Sequence, residues 1–457
     1  MDHSPIKLTF YGGAGTVTGS KTLIEANNKK ILIDCGLFQG LKEFRSKNWD
    51  EFPIDPSTID EVLLTHAHLD HCGYLPLLVK KGFKGSIHCT VPTQRLAEII
   101  LLDSAKIQEE DAERANSHEY TKHKHADPLY KITDVYETLK LFKCHDLLEW
   151  VIISPEIKFQ LLNNGHILGS AFIDMRVEDR KIIFSGDIGR TKPMLLYPPK
   201  KIKEADYIIL ESTYGDRVHS TEDVKDALLK VIEETYERKG ILMIPTFAVE
   251  RTQELIYLLY LLREEDRLPK VKVYLDSPMG TNSTNVYKTY QDWQNISHFD
   301  LNRMYEDIIF VASVEQSRAV VADKKPKIVL AGSGMMEGGR ILHYLNNHME
   351  SEKNTLLFVG YQGEGTRGRA ILEGAKEIKF FGEYRKVRCK IAEISSLSAH
   401  GDQIEMIDWL RNFDKKPTKL FLNHGEPHQT DALRQRVEYE LGWEATIPKL
   451  NSEYNLE

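Results

Sequence analysis

Residues 62–73 read VLLTHAHLDHCG, placing His66, His68, Asp70 and His71 within six residues, directly after an apolar run. Neutral imidazole nitrogens and carboxylate oxygens are the ligand set of a catalytic zinc site, which keeps one position open for water. Side chains on an extended segment alternate with period two, so His66 and His68 point to the same side. Asp70 and His71 follow where the chain turns into a helix. One short segment can thus offer two ligands to each of two neighbouring ions. More donors recur in the same local grammar: His166 in NNGHILGSA, Asp187 in IIFSGDIGR and Asp34 in ILIDCG each follow a strand-like run and sit beside glycine.

These residues need rigid elements behind them. The first ~200 residues are rich in short strand-like runs, such as KILIDCG, EVLLTH and KIIFSGD. Helical patterns interrupt them mainly from about Pro92 to Phe142. That stretch also carries His118, His123 and His125, read as part of a solvated helical excursion because no ligand spacing recurs there. From Asp206 strand runs alternate with helical patterns (DYIILES, GILMIPT, VKVYLDS, KIVLAGSG, TLLFVGYQ), the rhythm of a mostly parallel α/β sheet. The strand ends there carry Glu211, Thr246, Asp276, Ser333 and Gln362, where ligands of such sheets collect. After about Ile394 the first style returns. The pattern predicts one domain, 1–205 and 396–457, interrupted by a second at 206–395.

The 457 residues exceed one ordinary core. A net charge of −8 excludes a protein that binds nucleic acid over its whole surface, so any polyanion site must be a local basic groove. Five scattered cysteines without Cys-x-x-Cys argue for a reducing compartment and against a thiolate zinc site. No apolar run approaches membrane-spanning length and the N-terminus lacks signal-peptide character, so the expectation is a cytoplasmic protein with no membrane partner.

His66-x-His68-x-Asp70-His71, with Asp34, His166 and Asp187, resembles the metallo-β-lactamase superfamily. The resemblance implies an αββα sandwich with a di-metal site on its edge. It assigns His66, His68 and His166 to one metal, Asp70 and His71 to the other, and Asp187 to both. Asp34 would orient the ligands from behind. LESTYGDR, IPTFAVERTQEL, VYLDSPMG, AGSGMMEGGR, GYQGEGTRGR, LSAHGDQ and NHGEP, in that order, resemble the β-CASP subgroup of nucleases, whose parallel-sheet domain is inserted into the sandwich. The match is nearest the bacterial and archaeal RNases of this group and the pre-messenger-RNA 3′-end cleavage factor.

This subgroup adds Glu211 and His400 to Asp70 as catalytic positions, and His424 as the last ligand of the second metal. A histidine at that last position is the pattern of the RNA-acting branch. The implied reaction is hydrolysis of single-stranded RNA, endonucleolytic or from the 5′ end, by a hydroxide bridging two zinc ions (manganese also suits His/Asp ligands), with His400 as general acid. Two other readings compete: a catalytically silent scaffold, and another hydrolase of the fold acting on DNA or an ester. A homodimer is admissible.

Glycines between a strand and a helix in AGSGMMEGGR put Ser333 and Gly334 where backbone N–H groups could face a phosphate. GEGTRGR adds Thr366, Arg367 and Arg369, and SLSAHGD adds Ser398. Arg385 to Lys390 holds four cations in six residues, either a solvated edge strand or part of the basic groove. No aromatic stacking track is evident.

Overall fold

The computed structural model describes residues 5–117, 125–360, 362–394 and 397–457. His118 and His123 lie outside the described residues; His125 is exposed, 3.7 Å from Asp127. The chain separates into two compact units, Met1–Val218 with His400–Glu457, and His219–Ala399.

The first unit is built on two seven-stranded sheets. In the first, Glu453–Leu456, Ile6–Phe10, Thr22–Ala26, Lys29–Ile33, Glu61–Leu63, Ser86–Cys89 and Phe142–Cys144 lie side by side. In the second the order is Ala445–Thr446, Lys419–Asn423, Tyr207–Glu211, Arg180–Phe184, Ala171–Val177, Ile157–Asn163 and Val151–Ser154. Period-two alternation divides the apolar side chains between faces. Ile173, Phe184 and Ile209 join Leu8, Phe10 and Ile33 of the other sheet in one core. Their chain neighbours Phe172, Ile183, Ile208 and Leu210 turn the other way, onto Trp409 and Leu410 of helix Gln403–Leu410 and Leu433 and Val437 of helix Pro427–Leu441. Helices Leu75–Lys80 and Val91–Ser117, which bury Leu75, Leu78, Leu96 and Leu101, belong to the other outer layer. The result is the αββα sandwich.

The first unit continues past residue 205, through Val218. Tyr207–Glu211 pairs in parallel with both Arg180–Phe184 and Lys419–Asn423, so it is an interior strand of the sandwich rather than the first strand of the insertion. The return is at His400, four residues later than 396.

The second unit is an α/β domain around a six-stranded sheet, every pairing parallel. Strands Ile241–Pro245, Lys327–Ala331 and Thr355–Phe358 are buried along their whole length, as expected where helices cover both faces. Ile341, Tyr344 and Leu345 of helix Ile341–His348 pack with Met243, Val329 and Phe358 in its core. A two-stranded hairpin, Glu377–Phe380 with Glu383–Lys386, completes the unit. Arg385 and Lys386 lie in that exposed hairpin and Lys390 opens Lys390–Glu393, the edge strand of the six-stranded sheet, which favours the solvated reading of Arg385 to Lys390. There Arg385 pairs with Glu383 at 2.6 Å, and Lys390 pairs with Glu234.

Candidate metal centre

The donors of the first unit converge from four chain segments. Strand Glu61–Leu63 delivers His66 and His68, and the four-residue helix Leu69–Cys72 carries Asp70 and His71. His166 and Asp187 occupy loops after strands Ile157–Asn163 and Arg180–Phe184, and His424 follows strand Lys419–Asn423. Backbone bonds grip the ligand helix. Ser20 N–H donates to the Asp70 carbonyl at 2.8 Å, Cys35 N–H to that of His71 at 2.7 Å, and Leu37 N–H to that of Leu69 at 3.0 Å. The approach is so close that a Cβ on Gly36 would lie 1.6 Å from the Asp70 carbonyl oxygen, so only glycine serves there. Gly189 is pinned likewise against the Gly165 carbonyl, at 2.0 Å for its Cβ.

Two sets of ligand atoms result. In the first, His68 Nδ1 lies 3.1 Å from both His66 Nε2 and His166 Nε2. Asp187 Oδ2 lies 3.5 Å from His66 Nε2 and 3.6 Å from His166 Nε2. A tetrahedral site with metal–ligand bonds of about 2.0–2.1 Å sets its donors roughly 3.3–3.4 Å apart, so the edges match. In the second set, Asp70 Oδ2 lies 4.0 Å from His71 Nε2 and 3.5 Å from His424 Nε2. Asp187 turns its other oxygen, Oδ1, to within 3.2 Å of His71 Nε2. His71 Nε2, Asp187 Oδ1 and His424 Nε2 are all buried and lack a hydrogen-bond partner. Buried polar atoms left unpaired are expensive, and a cation would satisfy all three at once. The residues therefore fit a metal centre.

The electrostatics of the first set agree. Burial, then repulsion from His71, drives His66 far below the usual histidine range; burial, then His400, does so for His166. His68 falls to about 4, chiefly through burial. All three are thus neutral with lone pairs available, as metal ligation requires. Burial would raise Asp187, but His71 and His424 opposite it hold the carboxyl far below the usual range.

Asp34, a left-handed residue (φ 58°), sits behind the ligands. Its Oδ2 takes His71 Nδ1 at 2.7 Å, which leaves His71 Nε2 for a metal. Its Oδ1 accepts the Thr65 N–H at 2.8 Å. Two supporting residues escaped the sequence reading. Thr65 Oγ1 touches both Asp34 oxygens and lies 3.0 Å from His66 Nδ1. Asn164 Nδ2 donates to the Ser185 and Asp187 carbonyls at 3.0 and 2.8 Å, tying the His166 loop to the Asp187 loop. The available signal was position, next to His66 and two residues before His166.

Glu211 and His400 join the same centre. His400 Nδ1 lies 3.1 and 3.2 Å from the two Glu211 oxygens, and its ring lies 4.5 Å from that of His166. Ile188 N–H holds Glu211 Oε1 at 2.6 Å. Burial works against protonation of His400, but Glu211, Asp187 and Asp70 outweigh it and lift the group to about 9.

The expected phosphate residues are in the second unit and mostly serve each other. Ser333 Oγ accepts the N–H groups of Glu337 and Gly338, at 3.1 and 3.3 Å, and Gln362 Nε2 donates to the Gly334 carbonyl at 3.1 Å. Thr366 caps helix Arg367–Leu372 through the Arg369 N–H. Arg367 donates to the Met336 and Lys379 carbonyls at 3.1 and 3.2 Å, and Arg369 to Glu373 at 2.6 Å. Ser398 is buried.

Fold and site together define a hydrolase of the metallo-β-lactamase type, and comparison with known proteins agrees. Residues 14–238 match the metallo-beta-lactamase superfamily model, 252–371 the Beta-Casp domain, and 384–448 the Zn-dependent metallo-hydrolase RNA specificity domain. The chain is 35% identical to Ribonuclease TTHA0252 of Thermus thermophilus, covering 94% of this chain and 95% of that protein. It is 33% identical to an RNase J-like protein of Methanocaldococcus jannaschii, covering 93% and 94%. It is 32% identical to the Transcription termination factor FttA of Methanosarcina mazei, covering 92% of this chain and 67% of that one. A crystal structure of a protein of unknown function from Enterococcus faecalis shares the fold, with TM-score 0.57, 13% identity and 99% and 100% coverage. The chain belongs to the β-CASP branch of the metallo-β-lactamase superfamily.

Proposed function

We propose that the chain is a cytoplasmic di-zinc ribonuclease that hydrolyses phosphodiester bonds of single-stranded RNA. The observation that carries this reading is Asp187, whose two oxygens face two separate sets of donors. His66, His68, His166 and Asp187 would hold one ion; Asp70, His71 and His424, with Asp187 shared, would hold the other. Two dications held there would supply the acidity that makes water a nucleophile near neutral pH and positive charge to offset that building on the phosphate. Zinc follows from the ligand types, and manganese is the substitute such ligands accept.

The protein's own groups do the rest. Asp34 fixes which nitrogen His71 presents. Glu211 orients His400 through Nδ1, which turns Nε2 into the proton donor for the leaving ribose oxygen. The complete donor set argues against a silent scaffold. The RNA specificity domain and the ribonuclease relatives favour RNA over DNA or small esters.

Digestion of end-labelled RNA tests the reading, with 5′-triphosphate and 5′-monophosphate substrates in parallel. Internal fragments appearing first identify an endonuclease; mononucleotides appearing first identify an exonuclease. No cleavage of either substrate by zinc-loaded protein refutes the proposal.

A further inference from the structure

The hairpin of the second unit carries a residue that folding does not explain. Ile378 and Phe380 bury their side chains in the core, while Lys379, between them, faces outward. Phe380 pairs with Glu383, so the turn is the two residues Phe381 and Gly382, with φ of 50° and 90°. Positive φ at both positions is the signature of a turn that prefers Asn-Gly or Asp-Gly. A phenylalanine there is strained, and Phe381 is also 61% exposed. It thus carries a strained backbone and wetted apolar surface, and neither stabilises the fold.

The surroundings match one kind of ligand. The ring of His343 stacks on Phe381 at 4.9 Å between centroids and 26° between planes, bracing it from one side. Beside it opens a concavity of about 460 Å³, lined by Thr366, Arg367, Ile378, Lys379 and Phe381. That volume is within the range of small-ligand sites. Two backbone carbonyls fix the Arg367 guanidinium, and Glu337, 3.6 Å away, offsets part of its charge. Among the described residues no carboxylate pairs with Lys379, whose ammonium lies 5.8 Å from the centre of the exposed Tyr384 ring. A braced open aromatic face, flanked by cations that single phosphates can reach, is the pattern that takes one nucleotide of a single strand: base on ring, phosphate on cation.

We infer that this hairpin is an auxiliary binding site for single-stranded RNA, holding one nucleotide between Phe381 and the Arg367–Lys379 cations. The identity of the polymer rests on the ribonuclease reading above; the nucleotide chemistry does not.

The test is equilibrium binding of a fluorescent single-stranded 20-mer RNA to metal-loaded full chain carrying H400A to prevent turnover, with AMP as a second ligand. Phe381→Asn suits the turn, so its melting temperature should equal or exceed that of the parent. Its RNA affinity should fall about 5-fold or more, from the loss of one stacked base. Lys379→Gln should weaken binding and make the salt dependence shallower by about one ion. Equal RNA affinity in the parent and both variants overturns the inference and leaves the ribonuclease reading intact. So does a Phe381-dependent site that takes AMP while RNA affinity is unchanged, since it would be a site for free nucleotide. A parent chain that neither binds nor cleaves RNA removes the ribonuclease reading itself.

Discussion

The donor cluster of the first unit and the glycine–arginine loops of the second are both dense in polar groups at strand ends, yet they are in opposite states. In the cluster, His71 Nε2, Asp187 Oδ1 and His424 Nε2 are buried with no hydrogen-bond partner. In the loops, Ser333, Thr366, Arg367 and Arg369 bond to neighbouring backbone or carboxylates. Unpaired buried polar atoms are destabilising unless something absent from the chain completes them; satisfied ones already serve the fold. The contrast marks the first cluster as built for a ligand; in the loops Gln362 Oε1 shares the unpaired state, and Arg367, fixed by backbone carbonyls, keeps its charge for the phosphate inferred above.

The largest expected effect comes from removing Asp187, the group common to both donor sets. Asp187→Ala should bring metal content below two ions per chain and abolish RNA cleavage, as read by elemental analysis and a gel assay. Chelation of the parent should lower its unfolding free energy. The loss is about 4 kcal/mol if the free metal had stood at 1,000 times its Kd. The second unit, which holds none of these donors, should not respond.

His400→Ala should keep both metals and lower kcat by ~10²–10⁴, the usual weight of a general acid. Loss of metal in this variant would make His400 a ligand instead. Its charge also leaves a trace in stability. The folded group, raised to about 9 from 6.5, binds its proton more tightly than the unfolded one. The stability it adds to metal-free protein is therefore full below pH 6.5 and disappears as pH rises through about 9. The gap in melting temperature between parent and His400→Gln should shrink across that window, and a constant gap would contradict the assignment.

Asp34→Asn should weaken metal binding by about 10–100-fold, most at the set that contains His71, because His71 loses its orienting partner directly and His66 only through Thr65. Thr366→Ala is the smallest change: about 1 kcal/mol from a lost helix cap, with metal content untouched. A large fall in RNA affinity there, without loss of stability, would move Thr366 to the ligand side of the comparison.

Much of this was legible in the chain. His66 to His71 carry their own spacing, and His166 and Asp187 announce themselves by the glycines that let loops approach closely. What was hidden depends on neighbours distant in sequence. Tyr207–Leu210 is a continuous apolar run, as expected of a strand buried on both faces, so its pattern could not say which parallel sheet it joins. Thr65 and Asn164 are ordinary polar residues until the folded loops surround them. Arg367 reads as a phosphate ligand, but the Met336 and Lys379 carbonyls that fix its guanidinium are backbone, invisible to composition. Phe381 looked unremarkable because its strain exists only in the turn.

Zinc-edge anomalous diffraction from zinc-loaded crystals tests the central claim most directly. Two peaks per chain are expected, one about 2 Å from His66 Nε2, His68 Nδ1 and His166 Nε2, the other beside Asp70, His71 and His424, each within bonding distance of one Asp187 oxygen. A single peak, or two peaks with Asp187 bound to neither, would contradict it.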